Sequence, residues 1–142
     1  MSFERRLAFS LFGLRLGVSI VMFMWTIDKF VNPEHTAGIF DKFYDIPGLT
    51  NWMSYTIGGI QALILLAFVI GFQKRWSYGL VFIMHFISTV SSYQRYLDPW
   101  TAPNLLFYAA IPMLAAIATL YIMRDQDTFL TLESSRSSSH LN

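Results

Sequence analysis

Five polar residues recur along one stretch of an otherwise apolar segment: His85, Ser88, Thr89, Ser92 and Tyr96, at i, i+3, i+4, i+7 and i+11. On a helix that spacing is a single stripe. A histidine among hydroxyls can bind a ligand oxygen, relay a proton, or ligate a metal or haem iron. The supply of second ligands narrows this list. His35 and His140 fall in a loop and in the tail, so both are expected far from His85 along the membrane normal, and a bis-histidine haem within one chain is not expected. No histidine or carboxylate stands three or four residues from His85 to complete a metal site, so none is assigned. Hydrogen bonding remains, either to the carbonyl of a quinone or a similar apolar ligand with a polar head, or to a neighbouring helix.

A second stripe runs through Arg15, Ser19, Met22, Thr26 and Lys29, with Asp28 on another side. An arginine at the centre of a span costs roughly 2.5–3.5 kcal/mol on insertion scales. Arg15 must therefore snorkel, form an ion pair or bind an anionic ligand. Asp28 and Lys29 lie within a turn of the outer interface and, with Arg95 on the same side, are expected to form a charge cluster at the outer mouth. Ser54, Gly58, Gln61 and Ala62 share a small-residue face suited to close helix packing, from which the Gln61 amide needs a partner across the bundle. Asn104 and Tyr108, at i and i+4, could join the same network. The candidate ligand-binding set is thus Arg15, Gln61, His85, Ser88, Ser92 and Tyr96.

The elements that must position these residues are membrane spans. Of the 142 residues, 54% are apolar and only 13% charged, far from a soluble balance. Spans are expected over about Leu7–Val31, Trp52–Phe72, Trp76–Leu97 and Pro103–Met123, the first retained as a span because it contains Arg15 and lacks a small-x-small cleavage site. Gln73, Lys74 and Arg75 leave almost no loop between spans two and three, which forces an antiparallel hairpin. Pro112 predicts a kink in span four, and Pro103 sits at its tolerated first turn. Between spans one and two, Ile39, Phe40, Phe43 and Tyr44 oppose Asp41, Lys42 and Asp45, the pattern of a short interfacial helix capping the outer mouth. The expected fold is an all-α, antiparallel four-helix membrane bundle over residues 1–131, followed by a disordered cytoplasmic tail, 132–142.

Basic residues near segment ends set the orientation. Arg5, Arg6, Lys74, Arg75, Arg124 and Arg136 share one side against Lys42, Arg95 and the borderline Lys29, so both termini are expected in the cytoplasm, as in a bacterial inner membrane. Trp52, Trp76 and Trp100 fall at span ends, where an amphipathic ring prefers the headgroups. The absence of cysteine removes disulfides, Fe–S clusters and thiolate chemistry, so any redox reaction needs a bound cofactor. A net charge of +1 gives no reason to expect nucleic acid.

Several short motifs, Arg15, Trp25, Lys29, Asn32-Pro33, Ala37-Gly38 with Phe40, Pro47-Gly48, Gly58 to Gln61, and Gly71 before Arg75, run through the first half of the chain. On these residues it resembles the DoxX-like family of small four-span membrane proteins. The resemblance implies a four-helix bundle; some members are subunits of membrane oxidoreductase systems, including thiosulfate:quinone oxidoreductase, and many have no known activity. The chain departs from the family in two places. Trp25, Thr26, Ile27 and Asp28 replace a stretch that commonly holds a small glycine, and Gln61 stands where a glutamate is frequent in span two, removing a proton carrier.

The leading expectation is a small membrane subunit or accessory of a quinone-linked redox system, with a quinone-contacting pocket from Arg15, Gln61, His85 and Tyr96 and the catalytic cofactor in a partner protein. A non-catalytic scaffold or assembly factor is the alternative, and a small transporter is disfavoured by the few deep charges. The expected partners are the bilayer and a membrane or membrane-associated protein, with oligomer formation left open.

Overall fold

The apolar run that opens the chain becomes one uninterrupted helix, α1 (Phe3–Val31), in the computed structural model, which describes residues 1–135. Ser2 caps it, its hydroxyl accepting from the Arg5 amide at 3.3 Å, with Glu4 placed favourably in the first turn. At 29 residues α1 is about 43 Å long, well beyond a hydrocarbon core of about 30 Å. Only Asn32 separates it from α2 (Pro33–Tyr44), whose first-turn proline costs no helical hydrogen bond. The apolar pattern over Ile39–Tyr44 is thus the second half of a 12-residue helix, which packs on α1 and on α3 (Asn51–Val69).

The expected hairpin follows. α3 stops before Gly71, whose φ of +62° lies in the left-handed region, and α4 (Lys74–Ser91) begins three residues later. Span three was expected to continue to Leu97 as one helix. Instead the α-helix ends at Ser91, and after Ser92 a separate turn, α5 (Tyr93–Leu97), takes over. The Ser92 hydroxyl donates to the Ser88 carbonyl at 2.9 Å, the kind of back-bond that competes with a helix's own ladder. In the fourth apolar segment Asn104–Ala109 forms a 3-10 helix that passes into α6 (Ala110–Ile122). Pro112 is therefore the third residue of an α-helix, where its missing N–H has no partner to lose, rather than the origin of a mid-helix kink.

α1 packs on α3, α3 on α4, α4 on α6 and α6 on α1, so the four long helices close a ring. Leu11, Val18, Met22, Leu65, Phe68, Tyr78, Val81, Ile117 and Leu120 fill its centre. Large apolar side chains also cover the outside, among them Ile20, Leu63, Ile83 and Ile111, as expected where the surrounding solvent is hydrocarbon. Among the described residues three stretches are long and apolar enough to cross a membrane: Phe3–Val31, Asn51–Val69 and Asn104–Ile122. In α4 the apolar residues are diluted by Lys74, Arg75 and the histidine stripe. Every regular element among the described residues is helical.

After α6 the chain turns back over the end of the ring. The Leu132 amide donates to the Ile70 carbonyl at 3.0 Å, and Leu132–Ser135 forms a short 3-10 helix, so the expected boundary of disorder at Leu132 falls within helical backbone. Residues 136–142, including Arg136 and His140, lie outside the described residues. Gly71 holds this return in place. A Cβ there would lie 2.5 Å from the Thr131 side chain, at a backbone conformation that L residues resist. Gly71→Val is expected to cost about 2–4 kcal/mol, the sum of left-handed strain and overpacking. Gly13→Ala, whose added methyl would meet nothing within 4 Å, should be neutral or slightly stabilising. Thermal midpoints of the detergent-purified variants check both, and equal midpoints would remove Gly71 from this role.

Candidate functional site

The histidine stripe of α4 opens on a cavity of about 600 Å³. α1 contributes Met22, Thr26 and Lys29, α3 contributes Gln61, and α2 covers the space with Ile39, Phe40 and Phe43. His85 and Ser88 line it from α4, with Ser92 at that helix's end. Of the six candidate ligand-binding residues, four therefore meet in one place: Gln61, His85, Ser88 and Ser92.

Their hydrogen bonding separates them. Polar side chains in a bundle commonly satisfy themselves on their own helix, and most of these hydroxyls do. Thr89 donates to the His85 carbonyl at 2.7 Å, Ser92 to Ser88, Thr26 to the Met22 carbonyl at 2.9 Å and Ser19 to the Arg15 carbonyl at 2.7 Å. His85 differs. It is 1% exposed, stacks against Trp25 at 5.9 Å between ring centroids, and places Nε2 3.0 Å from the Ala110 carbonyl of α6. Its Nδ1 is buried and has no partner among the described residues. The Gln61 amide, contributed by α3, is likewise without a hydrogen bond among them.

The charged mouth is arranged otherwise than its composition suggested. Asp28 pairs with His35, Oδ2 to Nδ1 at 2.6 Å, and accepts more weakly from Asn32 at 3.4 Å. His35, expected to be remote from His85, lines the same cavity, because α2 folds back directly from the end of α1. Lys29 donates to the Trp25 carbonyl at 3.0 Å. Arg95 stands outside the cluster: it donates to Asn104 Oδ1 at 3.0 Å and lies 5.5 Å from the Phe43 ring and 5.8 Å from the Phe107 ring. Tyr96 is also away from the cavity lining, packed edge-on against Tyr108, whose hydroxyl donates to the Tyr96 carbonyl at 2.9 Å.

Arg15 belongs to a second polar centre at the other end of the ring. Its Nη1 donates to Asp127 Oδ2 at 2.8 Å and to the Tyr78 hydroxyl at 3.1 Å, while Nη2 reaches the Phe129 and Leu130 carbonyls at 2.7 and 3.2 Å. Tyr78 in turn donates to the same carboxylate oxygen at 2.7 Å, and Lys74 Nζ donates to the Asp127 carbonyl at 2.5 Å. Both Arg15 and Asp127 are essentially inaccessible. This centre ties the returning segment to α1 and α4, and its guanidinium is occupied there rather than turned toward His85.

A further, apolar groove of about 430 Å³ runs between α1 and α6, lined by Gly13, Gly17, Val21 and Met113 among others. Trp25 and Phe107 line both this groove and the polar cavity, so these two rings form the partition between them. No known protein family, curated protein or solved structure matches the chain. Among the described residues no cluster of three or more His, Asp or Glu side chains could hold a metal. The cavity brings an imidazole, an amide and a serine hydroxyl together beneath an aromatic cover, with Lys29 and the Asp28–His35 pair also in its lining.

Proposed function

We propose that the protein is a small four-span subunit or accessory of a quinone-linked membrane redox system, and that the cavity beneath α2 receives the polar ring of a quinone-type ligand. The carrying observation is that the buried Nδ1 of His85 and the Gln61 amide, both without a partner among the described residues, line the same cavity. A buried polar atom without a partner is costly, so one that lines a cavity is better explained by a ligand than by packing. The DoxX-like resemblance points the same way, and the cofactor that exchanges electrons with the ligand would belong to a partner.

On this reading α4 is the fourth span, admitted to the bilayer because its polar face is turned inward, and both termini lie in the cytoplasm of a bacterial inner membrane. A cysteine replacing Lys42 and one replacing Arg75, both exposed positions, should react with impermeant maleimide from opposite sides. Labelling from the same side would break the four-span topology. The function is tested by purifying the protein from its native membranes, identifying subunits that accompany it and extracting bound small molecules. Quinone at near-stoichiometric amounts with a redox partner is the expected result; neither would defeat the proposal. A scaffold is the second reading, favoured by the back-bonded hydroxyls of Ser19, Thr26, Thr89 and Ser92, which need no ligand.

A further inference from the structure

The hydrogen positions on His85 decide which oxidation state the cavity recognises. The Ala110 carbonyl can only accept, so the 3.0 Å contact requires Nε2 to carry a hydrogen. A hydrogen on Nδ1 as well would bury a cation with no carboxylate in contact, and would strand a donor where no acceptor is found among the described residues. Nδ1 is therefore a bare lone pair, and a group that satisfies it must donate.

We infer that the cavity selects the hydroxyl-bearing, reduced form of its ligand, a hydroquinone over the corresponding quinone, with His85 Nδ1 as the acceptor. The inference rests on the cavity being the head-group site of a quinone-type ligand. A quinone carbonyl brought against Nδ1 would set two acceptors face to face, whereas a hydroquinone hydroxyl would complete the bond. Gln61 and Ser88 do not oppose this preference, since an amide and a hydroxyl can each serve either form. Two donor-only groups in the lining favour a carbonyl, the Lys29 ammonium, which donates to the Trp25 carbonyl at 3.0 Å, and the Trp25 indole N–H, while the Asp28 carboxylate, paired with His35, can only accept. The acceptor that lacks a partner among the described residues, His85 Nδ1, sets the discrimination.

The test uses the full-length protein in lipid nanodiscs, titrated calorimetrically under anaerobic conditions with a decyl-tailed benzoquinone and separately with its hydroquinone. The hydroquinone is expected to bind about tenfold tighter, the difference between a satisfied and an opposed buried hydrogen bond. His85→Phe, which keeps a ring against Trp25 without an acceptor, should abolish the difference by weakening the hydroquinone. A ligand-free measurement accompanies it: nitrogen NMR of histidine-labelled protein should show Nδ1 unprotonated and Nε2 protonated. Equal binding, tighter quinone binding, or a proton on Nδ1 would overturn the selectivity while leaving the head-group site standing. Binding of neither form would overturn the site itself.

Discussion

Asp127→Ala is expected to destabilise the protein by roughly 3–5 kcal/mol, the cost of leaving a buried charge without its partner. Arg15 is 1% exposed and Asp127 fully buried, so water cannot take over from the lost carboxylate. The pair is not ideal. Arg15 and Tyr78 both donate to Oδ2, while Oδ1 and the Arg15 Nε have no partner among the described residues. The net worth of such a one-oxygen pair over an apolar replacement is small, because desolvation offsets much of the attraction. The loss on removing one member is nevertheless large, since the buried guanidinium loses its counter-charge and the Tyr78 hydroxyl loses its acceptor. Asp127→Asn should cost less, as its amide oxygen can still accept from both. The double substitution R15M/D127L should recover most of the single loss, giving a coupling energy that a double-mutant cycle can measure. Thermal midpoints and steady-state membrane abundance read the effect. A single Asp127→Ala loss below about 1 kcal/mol, in the range of an exposed pair, would show that this centre does not fasten the returning chain.

Long apolar runs and helical spacing made the helices and the histidine face legible in the sequence. The face was visible because a stripe depends only on residues a few positions apart. Partners across the ring were harder. Asp127 is 112 residues from Arg15 in a stretch whose composition looks like the beginning of a tail, and nothing in the spacing of either residue connects them. The available signal was the apolar pair Phe129-Leu130 inside that polar stretch. Phe129 packs on Phe9 and Phe12 at 5.8 and 5.1 Å, which returns the segment to α1 and brings Asp127 with it. His35 was misplaced for a related reason. The apolar pattern marks only the second half of α2, whereas the Asn32-Pro33 junction, loop-like in composition, starts the helix immediately and folds His35 back over the cavity. Position alone pairs Arg95 with Asp28, since both lie at the outer end. The spacing could not reveal that aromatic rings and Asn104 would satisfy the guanidinium instead.

His85→Leu should separate a ligand site from interhelical glue, because the two roles differ in which quantity changes. The substitution removes one interhelical hydrogen bond, to the Ala110 carbonyl, and such bonds are worth about 0.6 kcal/mol on average within membranes. Leucine is also apolar, so it brings no unpaired polar atom of its own into the cavity wall. Abundance and thermal midpoint should therefore remain near those of the parent. Ligand affinity should fall roughly 10- to 100-fold, the consequence of losing a buried hydrogen bond to the polar head. The proper comparison is Thr89→Val, one turn away on the same stripe. Its hydroxyl is already bonded to the His85 carbonyl, and its loss should change neither stability by more than about 0.5 kcal/mol nor affinity. A graded response, with His85→Leu eliminating quinone-linked electron transfer in membranes and Thr89→Val leaving it intact, follows only if the unpaired imidazole nitrogen meets a ligand. If His85→Leu instead lowers abundance and activity in proportion, the face is structural and the scaffold reading prevails.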